Sequence, residues 1–355
     1  MSRMFVPGPV DVDDEVLQAQ ARPMMPHRSK EFEAIFRQAA EKAKQVFLTQ
    51  NRVLIATSSG TGLQEAAIRN FVQRDVLSCV NGAFADRWYE VALSNGKQAD
   101  KLEAAWDTPI TPDLVAAAFE KKSYEAITIV HNETSTGLQN PVGEVAEAVR
   151  RVSPDTLILV DAVSSLSGAK IETDAWGLDM VLTSSQKCLA LPPGLALCAV
   201  SERAMDKARS VENRGWYFDL LRMDKHRQKD STPATPAMSL VYALDIQLDR
   251  VLAEGIEARF ARHSAMAERV QGWAEAHDLG IYAPAGYRSQ TVTTVRNGRG
   301  WEVPALNAFL KQKDMRLANG YGALKNVTFR IAHMGETRLS DVEELLAALE
   351  EFMAQ

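Results

Sequence analysis

Cysteine is scarce in this chain of 355 residues, which contains only Cys79, Cys188 and Cys198. The three thiols do not have the spacing of metal ligands and do not form a disulfide framework. We therefore expect no metal site, a reducing cytoplasmic location, and three cysteines that pack in the interior rather than react.

Long apolar runs and excess positive charge are also missing. No run approaches the roughly 20 residues that span a bilayer. Pro7, Gly8 and Pro9 interrupt the N-terminus too early for a signal peptide. The formal net charge is −6, whereas general nucleic-acid binders are usually basic. We therefore expect neither a membrane nor a nucleic acid as partner.

What the chain does contain is material for a large core, because 46% of its residues are hydrophobic. From Arg52 onward, short apolar runs alternate with helical segments. Such runs are typical of strands buried on both faces of a mainly parallel sheet, hence of an α/β fold, in which ligands bind at the carboxyl ends of the strands. The predicted strands are 53–56, 76–80, 126–130, 156–160, 179–182 and 195–200, with a weaker one near 97–102.

The organisation outside this sheet predicts two domains. Ser29 is a plausible N-cap for a helix that follows it. A long helical region from Ala237 to about His277 would lead to a smaller C-terminal domain. We divide the chain into an N-terminal arm (1–15), a large domain (16–252) and a small domain (253–355). The small domain would contain strands around 291–295 and 327–332 and helices around 303–311 and 340–353.

The loop after the first predicted strand is rich in small residues. Residues 57–62 read Thr-Ser-Ser-Gly-Thr-Gly and precede a helical stretch. Backbone N–H groups and the partial positive charge of a helix N-terminus can together hold a phosphate. The loop matches neither the dinucleotide fingerprint nor the P-loop. A plain tight turn explains it equally well, so both interpretations stay open at this point.

Chemically distinctive residues follow other strands. Phe84 could stack on a planar ligand or pack in the core. The polar run 131–137 could bind a ligand or form a turn. Asp161 directly follows five apolar residues and needs a partner, either a protonated ring nitrogen or an arginine. Arg330, within an apolar strand, is either paired inside the protein or free to bind a ligand carboxylate.

Lys187 lies between an apolar strand and an apolar Leu-Ala-Leu segment. The simplest account is a strand-end lysine whose ammonium reaches solvent. Desolvation would instead lower the pKa of the amine, and a neutral amine can attack a carbonyl to form a Schiff base. This lysine, the phosphate loop, the aspartate, the aromatic ring and the late arginine are together the groups that pyridoxal phosphate requires.

Several motifs, in their order and separation, make nearly the whole chain resemble the class V aminotransferases, most closely the alanine–glyoxylate, serine–pyruvate and aspartate branch. The resemblance implies fold type I, with a large domain built on a seven-stranded mainly parallel sheet and a small C-terminal α+β domain. It also implies a homodimer with shared active sites. The motifs are 59–62 with 65–67, 133–137, 160–165, 184–187 with 192–194, and 329–331.

The same resemblance implies a role for each site residue. Lys187 would form the Schiff base with pyridoxal 5′-phosphate and shuttle a proton. Asp161 would keep the pyridine nitrogen protonated, and Arg330 would bind the substrate α-carboxylate. Thr232 or Thr235 would reach the phosphate from the neighbouring subunit, both alignments being possible. The other contacts would be Val163 and Phe84 on the ring faces, Thr134 at the ring hydroxyl, and Gly60, Thr61, Gly62 and Gln186 at the phosphate.

The implied reaction is a ping-pong transamination between alanine or serine and glyoxylate or pyruvate. An aspartate aminotransferase of the same family is the alternative, and it would need a second cation, for which Arg28 and Arg214 are candidates. A desulfurase or another lyase is disfavoured because the last cysteine, Cys198, lies inside a predicted strand. A non-catalytic ligand-binding module is disfavoured because the lysine, the aspartate and the late arginine are all retained.

Overall fold

The computed structural model of the protein describes residues 3–354. Residues 1 and 2 of the predicted arm and residue 355 of the predicted small domain lie outside that range. The elements of the first half are β1 (Arg3–Phe5), α1 (Asp14–Ala19), α2 (Lys30–Val46), β2 (Arg52–Thr57), α3 (Gly60–Phe71), β3 (Asp75–Val80), α4 (Ala83–Ser94), β4 (Gln98–Glu103), α5 (Pro112–Phe119), β5 (Ala126–Val130), β6 (Asn132–Glu133), β7 (Leu138–Gln139), α6 (Val142–Val152) and β8 (Leu157–Asp161).

The second half contributes fewer strands and longer helices. Its elements are β9 (Met180–Ser184), β10 (Leu195–Val200), α7 (Glu202–Ser210), α8 (Leu220–Arg227), α9 (Met238–Glu254), α10 (Ile256–Ala276), β11 (Val292–Arg296), α11 (Val303–Lys311), β12 (Met315–Asn319), a 3₁₀ turn (Gly322–Leu324), β13 (Thr328–Ala332) and α12 (Leu339–Met353).

The main sheet has seven strands in the order β2-β10-β9-β8-β5-β3-β4. Strand β10 runs antiparallel to both of its neighbours, and the other pairs are parallel. The predicted α/β fold with a seven-stranded, mainly parallel sheet is therefore confirmed. Strand β4 lies at the edge and is half-exposed, which explains the weak apolar signal near 97–102.

Helices cover both faces of this sheet. One face packs against α2, α5, α6 and α9, and the other against α3, α4, α7 and α8. Helix α2 begins as predicted, because Ser29 Oγ accepts a hydrogen bond from the Phe32 amide at 3.3 Å. No helix within 3–354 is both long and apolar enough to cross a membrane.

The long helical region expected after Ala237 is two helices, because the chain breaks between α9 and α10 at Gly255. Glycine tolerates the positive φ of 86° at this position, whereas most other residues would be strained there. The predicted division at 252/253 falls in the last turn of α9, two residues before the break, and stays a prediction.

A second sheet lies beyond the helices and has the order β1-β12-β13-β11. Strands β11 and β13 and helices α11 and α12 lie close to their predicted positions. Strand β12, whose buried and exposed residues alternate, was not predicted, and neither was its parallel pairing with β1, in which Arg3 lies opposite Met315. The N-terminal strand therefore belongs to the same sheet as the last third of the chain.

Candidate active site

A cavity of about 670 Å³ lies at the carboxyl ends of β2, β5, β8 and β9. Parallel strands end at the same edge of a sheet, so the loops that follow them meet there although they are distant in sequence. The predicted site residues that line this cavity are Gly60, Thr61, Phe84, Thr134, Asp161, Val163, Gln186 and Lys187.

Lys187 lies in this cavity with only 9% of its surface exposed. Burial lowers the pKa of its amine to about 8, and the positive charge of Arg330 acts in the same direction. Lys187 Nζ donates a hydrogen bond to the backbone carbonyl of Pro7. The side chain therefore does not reach solvent, and a substantial fraction of the amine is neutral near pH 8.

The N-terminal arm forms the wall of the cavity beside Lys187. Gly8 has a φ of 96°, and a Cβ atom at this position would lie 2.7 Å from Lys187 Cδ. The Val10 amide donates to the Gln186 carbonyl at 3.2 Å. Only glycine can bring the backbone this close to the lysine stem. The contact joins residues about 180 positions apart, which no local pattern in the sequence indicates.

Asp161 is buried at the end of β8 and has two protein partners. Its Oδ1 accepts from the Val163 amide at 2.8 Å, and its Oδ2 accepts from Gln64 Nε2 at 2.6 Å. The sequence left two kinds of partner open for this carboxylate, a protonated ring nitrogen or an arginine. Among residues 3–354, no arginine lies within hydrogen-bonding distance of Asp161. Burial raises the pKa of Asp161, although these hydrogen bonds and the charge of Lys187 oppose the shift.

The N-terminus of α3 forms the floor of the cavity. Ser59 occupies the N-cap position without a side-chain capping bond, and Gly60 and Thr61 follow it. A Cβ atom at Gly60 would lie 2.5 Å from Val163 Cγ2, so a side chain at this position would fill the cavity. The first N–H groups of a helix have no partner within the helix, and they attract anions.

Several buried polar atoms on the cavity lining have no hydrogen-bond partner among residues 3–354: Ser184 Oγ, Gln186 Oε1, Gln64 Oε1 and both side-chain polar atoms of Asn132. Buried polar groups in native proteins almost always find a partner, because an unsatisfied group costs about 1–3 kcal/mol. These atoms and the helix N-terminus fit a polar ligand with an anionic group at α3 and a ring near Asp161.

An aromatic pair lies at the cavity, which Phe84 lines. The Phe84 ring stacks on Tyr321, with centroids 5.2 Å apart and an interplanar angle of 21°. Thr134 Oγ1 lies 2.6 Å from Ser164 Oγ. Phe84, Thr134 and Val163 thus surround the same space, and their individual contacts with a ring remain predictions.

Arg330 is buried next to Thr134, which lines the cavity, but Arg330 is not itself among the lining residues. Its Nε donates to the Asn319 carbonyl at 3.0 Å and its Nη1 to the Thr134 carbonyl at 3.3 Å. Burial lowers the pKa of Arg330 to about 10, so the guanidinium is still charged at neutral pH. No carboxylate within residues 3–354 lies within 4.0 Å of it. Arg330 therefore keeps donors for a carboxylate from outside the chain.

Some predicted residues lie elsewhere. Gly62 donates its amide to the Ser59 carbonyl at 3.1 Å and does not line the cavity. Thr232 and Thr235 line a different cavity of about 390 Å³, together with Trp216. Their roles at the phosphate are untested by this single chain and stay predictions.

The two arginines suggested as a second cation are also outside the cavity that contains Lys187. Arg28 Nη1 lies 3.5 Å from Ser231 Oγ. Arg214 contacts Asp219 at 3.4 Å and the Ala208 carbonyl at 2.9 Å. Neither guanidinium lines the cavity.

Sequence reasoning missed three residues that matter here, namely Gln64, Arg87 and Tyr321. Helical spacing could have found two of them. Gln64 lies one turn after Gly60 on α3, and Arg87 lies three residues after Phe84 on α4, so each shares a face with a predicted site residue. Tyr321 belongs to a loop of the small sheet, and nothing local in the sequence connects it with Phe84.

The three cysteines are buried free thiols. Burial raises the pKa of Cys188 to about 11 and that of Cys198 to about 12. Within 3–354, no group of three or more histidine, cysteine, aspartate or glutamate side chains is arranged to hold a metal ion. A reactive thiolate of the kind that desulfurases use is therefore disfavoured at Cys188, the cysteine beside the lysine.

Comparison with known proteins decides the family. The family model described as Aminotransferase class-V matches residues 13–341. The chain belongs to the class V aminotransferases. Its cofactor is accordingly pyridoxal phosphate, and the cavity residues described above fit that molecule.

Individual relatives of this aminotransferase agree with the family. An uncharacterised aminotransferase of Methanocaldococcus jannaschii is 38% identical over 98% of this chain and 91% of its own length. The L-aspartate–glyoxylate aminotransferase of Paracoccus denitrificans is 32% identical over 94% and 86%. Among solved structures, the alanine–glyoxylate aminotransferase of a Nostoc species superposes with a TM-score of 0.93, at 30% identity and over 99% and 96% of the two chains.

Proposed function

We propose that this aminotransferase transfers the amino group of alanine or serine to glyoxylate or pyruvate by a ping-pong mechanism. The observation that carries the reaction type is Lys187, a buried amine whose pKa is lowered to about 8 in a cavity shared with Asp161. Glyoxylate as the acceptor is supported by the names of the Paracoccus and Nostoc proteins, which differ in the amino donor that they name.

Bound pyridoxal phosphate supplies an aldehyde that reacts with amines and a ring that withdraws electrons from an adjacent carbon. Lys187 would hold it covalently through Nζ. As a free amine, Nζ of Lys187 would also act as the base that accepts the proton of the substrate Cα and as the acid that gives it back. Its pKa near 8 suits both steps, because a base and an acid of similar strength are needed near neutral pH.

Asp161 and Arg330 would set the electrostatics and the orientation. An ionised Asp161, held by Gln64 and the Val163 amide, would keep the ring nitrogen protonated. Arg330 would bind the α-carboxylate through its Nη groups, one of which it already shares with the Thr134 carbonyl. The α-proton would then point towards Lys187 in a fixed geometry.

We also propose a cytoplasmic homodimer with shared active sites. Support comes from Trp216 and Tyr217, which are 54% and 49% exposed beside the cavity that contains Thr232 and Thr235. The test mixes Lys187→Ala subunits with subunits that carry Thr235→Val or, in a second mixture, Thr232→Val, after the activity of each variant has been measured on its own. Shared sites predict that mixed dimers regain activity, and no recovery with either Thr232 or Thr235 variants would contradict the sharing.

The decisive experiment combines a variant with covalent trapping. We expect Lys187→Ala to keep its fold and lose transamination at least about 1,000-fold, because it removes both the covalent anchor and the proton carrier. Borohydride treatment of the wild-type holoenzyme should fix the cofactor on Lys187. The substrate pair would be defined by measuring transamination rates for the amino donors alanine, serine and aspartate, each with glyoxylate, pyruvate and 2-oxoglutarate as acceptor.

The matched control is Lys170→Ala, which removes a half-exposed lysine that pairs with Glu172 and Glu257 outside the cavity. Its activity should stay within about twofold of wild type. Turnover near wild type in Lys187→Ala, or trapping on another lysine, would contradict the proposed reaction.

A further inference from the structure

Arg87, on α4, lines the cavity that contains Lys187 but has no part in the reaction proposed above. Its Nη2 donates to Tyr321 Oη at 3.1 Å, and its Cζ lies 4.9 Å from the centroid of the Phe84 ring. The neighbouring acid, Asp86, pairs with Lys101 at 2.8 Å instead. No carboxylate within 3–354 lies within 4.0 Å of the Arg87 guanidinium.

The acids inside the site do not neutralise Arg87 either. Asp161 is hydrogen-bonded to Gln64 and the Val163 amide. Glu133, which is fully buried, accepts from the amides of Phe84, Ala85 and Ser135. Arg87 is thus a half-buried cation whose remaining N–H donors have no anionic partner among the described residues, a state that a bound anion would relieve.

Arg87 and Arg330 both contact the stacked Phe84–Tyr321 pair. The Arg330 Cζ lies 5.5 Å from the Tyr321 ring centroid, and the Arg87 Cζ lies 4.9 Å from that of Phe84. Two guanidinium groups therefore lie against one pair of rings, and Arg87 is the one of the two that lines the cavity. A ligand with two acidic groups on a short carbon chain matches this arrangement better than a ligand with one.

We propose that Arg87 is the subsite for a second carboxylate, so that the site also admits amino acids and 2-oxo acids whose short side chain ends in a carboxylate, aspartate being the simplest donor. In this arrangement Arg330 binds the α-carboxylate and Arg87 the side-chain carboxylate. The inference rests on the proposed transamination and deepens it, because it names a residue that widens the donor range.

The test compares donors in the holoenzyme. Initial rates with glyoxylate would be measured for aspartate, asparagine and alanine, asparagine being the uncharged match of aspartate. We expect kcat/KM for aspartate to exceed that for asparagine at least about tenfold, because only aspartate can form a charge-assisted hydrogen bond with Arg87. In Arg87→Gln the ratio of kcat/KM for aspartate to that for alanine should fall at least about tenfold, mainly through KM.

Two further variants make the result specific. Arg87→Lys keeps the charge without the planar fork and should retain part of the preference for aspartate. Arg151→Gln removes an exposed arginine on α6 and should leave the ratio unchanged. An equal loss with aspartate and alanine in Arg87→Gln would overturn the proposal, because Arg87 would then act on the whole site rather than on the second carboxylate.

Binding without turnover gives an independent measure. Succinate and propionate lack an amino group, and their binding to the holoenzyme can be followed by calorimetry. Wild type should bind succinate at least about tenfold more tightly than propionate, and Arg87→Gln should lose that difference. If alanine is transaminated but neither preference depends on Arg87, this inference fails and the proposed function stands. If no donor reacts and borohydride fixes nothing on Lys187, both fail.

Discussion

Two groups of buried charges lie within this aminotransferase, and they differ in how completely they are paired. One surrounds the cavity and comprises Lys187, Asp161, Arg330 and Arg87. The other, which we call the hinge cluster, comprises Arg259, Arg262, Glu254 and Glu336 near the break between α9 and α10. Both combine basic and acidic side chains, and the main difference between them lies in their partners.

The hinge cluster is saturated. Arg259 is 1% exposed and donates to Ser167 Oγ at 2.9 Å, the Cys188 carbonyl at 2.8 Å and Glu254 at 2.7 Å. Arg262 binds both carboxylate oxygens of Glu254, at 2.6 and 3.0 Å. Burial alone would raise the pKa of Glu254, but these two arginines outweigh the effect of burial and lower the pKa to about 2.

The cavity group shows the opposite balance. Burial lowers the pKa of Lys187 and raises that of Asp161, and in each case the surrounding protein charges fail to compensate. Arg330 and Arg87 have no carboxylate partner among residues 3–354. The comparison teaches that burial alone does not mark a functional charge. Incomplete pairing is the stronger indication, because it leaves charges whose partner a ligand would supply.

The largest effect on stability is expected at the hinge cluster. Arg259→Met should lower the free energy of unfolding by about 3–5 kcal/mol, because it removes one of the two arginines bound to Glu254 and the nearest cation of Glu336, at 3.0 Å. Urea unfolding of the holoenzyme, followed by fluorescence and circular dichroism, measures this. If the cluster is purely a structural element, kcat of the surviving folded fraction stays within about threefold of wild type.

The control for this variant is Arg269→Met, which removes an arginine that is paired with Glu343 at 2.7 Å on the surface. Its cost should be below about 1 kcal/mol, since exposed pairs contribute little. A similar cost for both variants would show that the hinge cluster is not stabilised by its pairing, and the contrast drawn above would break down.

Within the cavity, Asp161→Asn should act on chemistry rather than stability. The amide preserves the shape but cannot hold a proton on the ring nitrogen, so we expect kcat to fall about 100- to 1,000-fold. The free energy of unfolding should fall by less than about 1 kcal/mol, or should rise, because the change removes a buried, incompletely paired carboxylate. Steady-state kinetics and urea unfolding on one preparation measure both quantities.

Asp113→Asn, on the exposed first turn of α5, is the matched isosteric change. It should leave kcat unchanged and reduce stability by no more than about 1 kcal/mol, through its position at a helix N-terminus. If Asp161→Asn lowers the free energy of unfolding by several kcal/mol while kcat changes little, this carboxylate belongs with the structural charges instead.

The strands of the main sheet and most of the cavity lining were predictable from the sequence, for a physical reason. Buried parallel strands are apolar over most of their length, and the predicted site residues lie at or just after their ends, as Asp161 is the last residue of β8 and Lys187 lies three residues after β9. Both signals are local. The half-exposed strands β4 and β12 gave a weak signal or none, because their residues alternate between solvent and core.

Contacts between distant segments were not predictable. The pairing of β1 with β12, the hydrogen bond of Lys187 with Pro7, and the stacking of Phe84 on Tyr321 each join segments more than 150 residues apart or on different sheets. A single sequence records composition and spacing along the chain, and these contacts depend on how two sheets are positioned relative to each other. The position of Arg87 near the cavity follows from its helical spacing to Phe84, but its hydrogen bond with Tyr321 is another contact of this long-range kind.

The incomplete compensation at Lys187 predicts a pH-dependent stability of the cofactor-free protein. The pKa of this lysine is about 8 in the folded protein, against 10.5 for the ordinary side chain. The unfolded chain therefore binds more protons between these values, and stability rises with pH across that window. Relative to Lys187→Met, wild type should gain up to about 3 kcal/mol between pH 8 and pH 10.5.

Urea unfolding of the two cofactor-free proteins at several pH values measures this difference. The comparison between variants cancels the other lysines and tyrosines that titrate in the same range. A difference that stays constant from pH 7 to pH 10.5 would mean that the amine is compensated after all, and Lys187 would then resemble the arginines of the hinge cluster.

The smallest effect concerns the geometry of Arg330. Arg330→Lys keeps a cation but loses the planar fork that binds a carboxylate with two parallel hydrogen bonds. We expect KM for the amino donor to rise about tenfold, with kcat and cofactor affinity within about twofold of wild type, because the proposed contact is with substrate alone. Steady-state kinetics and fluorescence titration of the cofactor-free protein with pyridoxal phosphate give the two values.

This last variant distinguishes the two groups of charges most finely. If Arg330 belonged to a saturated site, its replacement by lysine would mainly break its hydrogen bonds with the Asn319 and Thr134 carbonyls, and the cost would appear as a lower free energy of unfolding. At an incompletely paired site, most of the cost appears only when substrate binds. A rise in KM without a change in unfolding free energy would therefore place Arg330 with Lys187. Equal weakening of cofactor and substrate binding would instead mean that it supports the shape of the cavity, as Arg259 supports the hinge.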